Sequence, residues 1–288
     1  MSGTNLRDTF LADRDALQAR HAAELSPNWR GRAITVAVLL AATGTYLYGL
    51  GALEISPARL ASGLWRLADI VGLMLPPNPQ TWEHFNRYMN ALGETLAIAL
   101  LGTLTAAVFA IPLGFLAAKN IVASRVVHFL ARRSMDTVRS VDTLIWALIW
   151  INVVGLGPFA GALAIASSDV CAYGKLLSEA IETADRRPVE GILSTGGRRY
   201  EAVRFGIVPQ ILPIFASQIL YYFESNTRSA TIIGIVGAGG IGMALSEQIR
   251  VLEWQQASFL ILMVLVTVAI IDQLSQRLRT AIIGRRSS

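Results

Sequence analysis

Three polar side chains interrupt an apolar run in this sequence: Glu224, Asn226 and Arg228, within YYFESNTRSATII. Glu224 and Arg228 are four apart with the acid first, the order that favours an ion pair along a helix. Ionisable groups inside a membrane span are costly and face a cavity or one another. Such a trio offers two kinds of chemistry. It can neutralise itself so that a helix inserts, or its guanidinium can meet an oxyanion through a planar, bidentate fork. Asp169 raises the same question in SSDVCAYG and has no evident partner in its own helix. Asp169, Glu224, Asn226 and Arg228 are therefore the candidates for a translocation pathway.

A second set is made of glycines. The run GIVGAGGIG carries Gly234, Gly237, Gly239, Gly240 and Gly242. A loop that cradles phosphate needs a strand before it and a helix after it, whereas these glycines follow an apolar span. Close helix packing through small residues is one reading. The other is an outer gate at Gly237, Gly239, Gly240 and Gly242, where missing side chains let backbones approach and part.

A third stretch, EGILSTGGRRYEAVRFGIVPQILP (190–213), puts Arg198, Arg199 and Arg204 between two strongly apolar segments. Its pattern is helix, turn, helix. Gly196 and Gly197 make a turn that side chains would obstruct, and RRYEAVRFGIV resumes as a short helix with Tyr200, Val203 and Ile207 on one side. The stretch is either a ridge for another protein's groove or a loop packed on its own bundle.

Other chemistries are excluded by what is missing. The three histidines are far apart and lack metal-ligand spacing. Cys171 is the single cysteine, so there is no disulfide framework. Gly174-Lys175 continues into Leu176 within an apolar segment, so this chain does not bind ATP through a P-loop.

These residues have to be held by membrane-crossing elements. The 288-residue chain is 53% apolar and 16% charged, against about 25% charged for soluble domains. A helix needs about 20 mostly apolar residues to cross a bilayer core. Six stretches qualify: roughly 33–53, 94–118, 140–157, 159–180, 210–235 and 254–273. Residues 60–75 are shorter, carry Arg66 and Asp69, and predict an interfacial amphipathic helix. The polar first thirty residues lack the basic start of a signal peptide and predict an uncleaved segment.

The basic residues set the orientation. With the N-terminus inside, 20 of the 25 Lys and Arg fall on the cytoplasmic side, counting Lys175 at the inner end of the fourth span. Arg59, Arg66, Arg87 and Arg250 fall outside, and Arg228 lies within a span. That bias follows the positive-inside rule and explains the net charge of +5 without nucleic acid. The resulting organisation is all-α and polytopic: a cytoplasmic segment 1–32, a transmembrane domain 33–280 containing a long cytoplasmic loop at 181–209, and a tail 281–288.

Glu190, then Gly196, then Val208-Pro209 resemble the E-A-A…G…I-x-L-P loop of ATP-binding-cassette importer permeases. Gly191-Ile192 stands in place of the paired alanines, and Gly206 in place of an isoleucine. The stretches VVGLGPFAGALAIA, GKLLSEAIE, VRFGIVPQILP and FESNTRSATIIGIVGAGGIG are similar to the phosphonate-type branch of these permeases, over roughly residues 75–280. In IASSDVCAYGK, Ser167-Ser168 stands where that branch has a histidine–threonine pair.

The resemblance implies a type I importer permease in a bacterial inner membrane, with both termini cytoplasmic. It further implies a second copy of the chain, an ATPase dimer that holds the ATP and Mg, and a periplasmic binding protein that delivers substrate. Glu190, Gly196, Gly197, Arg198, Tyr200, Gly206 and Pro209 would then form the loop that couples to the ATPase. The cargo implied is phosphonate or a related small phosphorus oxyanion such as phosphite or a phosphate ester. A permease for a different small solute is the alternative. A secondary transporter would show paired broken helices in inverted repeats, and no such symmetry relates 33–150 to 151–273. A membrane enzyme would need clustered acid, base or metal-binding residues, which are missing.

Overall fold

A computed structural model of the protein describes residues 29–53, 56–121 and 124–284. Most of the expected N-terminal segment and half of the expected tail lie outside the described residues. The described elements are helical throughout: α1 Trp29–Ala52, α2 Pro57–Leu73, α3 Trp82–Ala117, α4 Arg125–Arg139, α5 Thr143–Val154, α6 Pro158–Thr183, α7 Arg187–Ser194, the single turn α8 Arg199–Glu201, α9 Val208–Ile233, α10 Gly240–Arg250 and α11 Trp254–Gly284. Two wide π turns, Ala202–Ile207 and Gly234–Ala238, flank α9. The chain divides into two compact units, residues 1–68 and 69–288.

In the first unit, α1 is apolar on every face, as a helix surrounded by lipid should be. Two of its threonines are satisfied internally: the Thr35 hydroxyl donates to the Gly31 carbonyl at 2.9 Å, and Thr45 to Ala41 at 2.8 Å. The amphipathic helix expected at 60–75 is α2, which begins in this unit. It sets Leu60, Leu64 and Leu67 opposite Arg59, Ser62 and Arg66.

The second unit is built around α6. The buried face of α3 is a stripe of small residues (Ala99, Gly102, Thr103, Ala106, Ala110 and Gly114) that lets α6 approach closely. A Cβ on Gly102 would lie 2.7 Å from Ile165, and one on Gly114 would lie 2.8 Å from Leu177. Tyr173, Leu177, Ile181, Ile207, Ile211 and Phe215 continue this core towards the far end of α6. Asp142, which opens the expected third span, caps α5: its carboxylate accepts from the Leu144 N–H at 2.8 Å.

Four of the six expected spans are helices both long and apolar; another is broken, and the remaining one is long but less apolar. Among the described residues, four helical stretches are long and apolar enough to cross a membrane: Gly31–Ala52, Trp82–Ala117, Arg199–Ala238 and Trp254–Ala281. The expected span 140–157 is only 12 residues as α5, about 18 Å of helix. It reaches membrane length only together with α4, from which it bends by 85°. The expected span 159–180 is the 26-residue α6, long enough but less apolar. Protein covers much of α6, whereas α1 is uncovered, so polar residues are tolerated along α6.

Candidate functional site

Three groups of candidate residues were read from the sequence, and the structure divides the pathway group in two, giving four. The first is the loop after α6. α7 ends in a Schellman motif: the Gly196 N–H donates to the Leu193 carbonyl at 3.1 Å and the Gly197 N–H to Ile192 at 3.0 Å. Gly196 sits at φ +85°, where side chains are strained, and a Cβ on Gly197 would lie 2.7 Å from the Ile192 carbonyl oxygen. Each glycine of the pair is thus needed for a different reason. The Arg198 N–H donates to the Glu201 carboxylate at 2.7 Å and starts the next turn.

Glu190, Leu193, Arg198, Tyr200 and Phe205 are exposed on this loop. Both ends of the loop are fastened. The Gln210 amide accepts from the Asp185 N–H at 2.9 Å and donates to the Asp185 carbonyl at 3.0 Å. Pro209 lies in the first turn of α9, where no N–H is required. Tyr200, Val203 and Ile207 do not share one side as the helical spacing predicts. Tyr200 is exposed, whereas Ile207 is buried in the core with Val203 packed beside it. The π turn at 202–207 is the cause, because a wider turn rotates less per residue than an α turn.

The second group is a buried polar clasp across three helices. The Asn226 amide on α9 donates to the Asp169 carboxylate of α6 at 2.6 Å and to the Thr103 hydroxyl of α3 at 2.9 Å. All three residues are buried. Asp169 therefore has its partner on a neighbouring helix, which spacing along its own helix could not reveal.

Glu224 and Arg228 form the third group, and the expected i,i+4 pair is present at 3.5 Å. Sequence reasoning missed its third member, Arg279 of α11, whose guanidinium donates to the other Glu224 oxygen at 3.2 Å.

The glycine run is the fourth. Gly237, Gly239 and Gly240 have φ of +106°, +83° and +72°. A Cβ on each would strike the same chain: Leu156 at Gly237, Pro158 at Gly239 and Thr95 at Gly240, with the Thr231 carbonyl at Gly242. The Ile241 N–H donates to the Thr95 hydroxyl at 2.7 Å and the Gly157 N–H to the Gly237 carbonyl at 3.0 Å. The run packs α9 and α10 against the starts of α3 and α6.

Residues 110–285 match the family model described as binding-protein-dependent transport system inner membrane component. The chain belongs to this family. It is a transport permease component of the inner membrane and not an enzyme. The phosphite transport system permease protein PtxC of Stutzerimonas stutzeri is 34% identical, covering 76% of this chain and 79% of that protein. The phosphate-import permease protein PhnE of Mycolicibacterium smegmatis is 33% identical across 80% of this chain, which spans 43% of that longer protein. Among solved structures, the MetNI methionine ABC transporter in an inward-facing form matches with a TM-score of 0.62. That match has 17% identity and covers 70% of this chain and 99% of the other. It establishes the fold, that of a type I importer permease.

Two departures of this permease from the resemblance have local reasons. A Cβ at Gly206 would lie 3.2 Å from the Val189 backbone, so glycine lets α7 settle against the π turn. Ser167 accepts from the Trp150 indole N–H at 2.9 Å, and Ser168 shares a hydrogen bond of 2.9 Å with Thr143. These hydroxyls fasten the short α5 to α6.

Proposed function

We propose that this chain forms the membrane pathway of an importer for a small phosphorus oxyanion, driven by ATP hydrolysis in a separate ATPase pair. The observation that carries the reading is the exposed loop 187–205, hinged at Gly196 and fastened to both α6 and α9. Exposed Leu193, Tyr200 and Phe205 with exposed charges around them suit a partner's groove. The fastening at Asp185 and Gln210 suits transmission of a push into two helices at once. Phosphite and phosphate, named for PtxC and PhnE, share a tetrahedral phosphorus oxyanion, which supports the cargo class. A binding protein delivers this cargo from outside.

Two copies of the chain enclose the pathway in this reading, with both termini cytoplasmic. Asp169, Glu224, Asn226 and Arg228 belong to its polar machinery, and the glycine run serves as its outer gate. ATP and Mg stay with the ATPase.

The test is uptake of radiolabelled phosphite and coupled ATP hydrolysis in proteoliposomes holding the complete transporter and its binding protein. Glu190→Lys and Gly196→Val should each reduce both activities by about tenfold or more, the size of losing one docked contact of about 1.4 kcal/mol. Membrane levels should be unchanged. Wild-type rates in both variants would reduce the loop to a connector.

A further inference from the structure

By its position in the sequence, Arg279 falls after the sixth expected span, among the basic residues that set orientation. In the structure α11 runs unbroken to Gly284 and brings Arg279 back against α9. Each oxygen of Glu224 meets a different guanidinium: Oε1 lies 3.5 Å from Arg228, and Oε2 accepts from Arg279 at 3.2 Å. The Glu224 side chain is 9% exposed, that of Arg279 24% and that of Arg228 53%.

Within this cluster the charges do not cancel: one carboxylate faces two guanidiniums, which leaves the trio with one positive charge in excess. Among the described ion pairs, Glu224 is the carboxylate that meets either guanidinium. Asp169 bonds instead to the Asn226 amide, and Asp272, two turns earlier on α11, to the Gln276 amide at 3.1 Å. Tyr221 and Ile232 on α9 are exposed and bring no acid, although the Tyr221 ring faces the Arg279 guanidinium at 5.8 Å. An unbalanced guanidinium in a span is costly unless water or an anion meets it.

We propose that Arg228 and Arg279 form a two-guanidinium site for one small tetrahedral oxyanion, with Glu224 as a resident counter-ion that yields its place. Each guanidinium can donate two parallel N–H groups to a pair of oxygens, which a tetrahedral anion supplies on two edges at once. Glu224 limits the net attraction to about one charge, so the bound anion can leave. The naming of a phosphorus oxyanion rests on the function proposed above; the existence of the site does not. A phospholipid headgroup carries the same chemistry. The recessed position of Glu224 and Arg279 between α9 and α11 favours a free ion over a headgroup tethered to its acyl chains.

The experiment is equilibrium binding of radiolabelled inorganic phosphite to the complete transporter in phosphatidylcholine nanodiscs. It is repeated with sulfate as competitor and in nanodiscs containing phosphatidylglycerol. Removing one full charge at contact distance should change affinity by at least about tenfold. Glu224→Gln is expected to bind tighter by that factor and Arg279→Gln weaker, with Arg279→Lys between Arg279→Gln and wild type. In uptake, Glu224→Gln should lower KM and kcat together, a split that a purely structural pair does not produce.

Equal affinity per folded molecule in all variants overturns the proposal. Loss of phosphite binding when phosphatidylglycerol is present assigns the site to lipid headgroups and overturns the free-anion assignment. If the variants keep this order with sulfate while wild type imports no phosphite, the site stands and the cargo reading fails.

Discussion

Asn226 holds the buried Asp169 carboxylate at 2.6 Å, across the interface between α9 and α6. This contact is the shortest in a clasp that also reaches Thr103 on α3. It fixes the relative height of three helices in the unit formed by residues 69–288.

Asn226→Leu is expected to strand a buried carboxylate and to destabilise the protein by about 1–3 kcal/mol or more. Asp169→Asn should cost less, because an amide oxygen can still accept from Asn226. Replacing both residues by leucine should recover part of the loss, since no carboxylate is then stranded and only the Thr103 hydroxyl loses its donor. Thermal unfolding of purified protein in detergent should rank the variants Asp169→Asn, then the double variant, then Asn226→Leu. A double variant no better than Asn226→Leu would mean that the clasp matters for shape and not for charge.

The glycines divide by what surrounds them. A Cβ at Gly242 would overlap the Thr231 carbonyl, so Gly242→Ala must push α10 off α9, at a cost of about 1–3 kcal/mol. Gly191, inside α7, has open space around its missing Cβ. Gly191→Ala should therefore stabilise that helix by up to about 1 kcal/mol. Melting curves of the two variants should move in opposite directions from wild type.

The turn at Gly196 predicts a graded series. Its φ of +85° suits glycine, is tolerated by asparagine and is poorly tolerated by valine. Coupled ATP hydrolysis should fall in the order Gly196, Gly196→Asn, Gly196→Val. An asparagine variant as impaired as the valine one would show that bulk at the docking surface, and not backbone conformation, sets the effect.

Topology can be read from one engineered thiol. Cys171 is the single cysteine and is buried, so Cys171→Ala followed by Tyr200→Cys places one reporter on the exposed loop. An impermeant thiol reagent should leave this reporter unlabelled in intact cells and label it in inside-out vesicles. Labelling in intact cells would invert the proposed orientation.

Much of this fold was legible in the sequence because lipid imposes a simple rule on the helices it touches. α1, α3, α9 and α11 are visible as apolar runs. The loop at 187–201 is visible because a double glycine between polar residues has few other uses. The misses have two physical origins. A π turn changes rotation per residue, so the 3.6-residue spacing of Tyr200, Val203 and Ile207 assigned them a common side that they do not have. Contacts between distant helices leave no local trace: Asn226 with Asp169, and Arg279 with Glu224, are 57 and 55 residues apart. Arg279 was further hidden because charge counting reads every basic residue beyond a span as a marker of orientation.

The enclosure of α6 has a consequence for how this protein can change. Helices that face lipid must keep their polarity but are free in outline, because lipid chains adapt to any shape. α6 faces the opposite demand. Its neighbours supply partners for Ser167, Ser168 and Ser178, yet a Cβ on Gly161 or Gly174 would lie within 2.9 Å of Ala238 or Met135. In a saturation mutational scan, α1 should accept exchanges among leucine, phenylalanine and valine and reject serine. α6 should accept Ala164→Ser or Cys171→Ser and reject Ala164→Leu, so the two helices should return opposite substitution spectra.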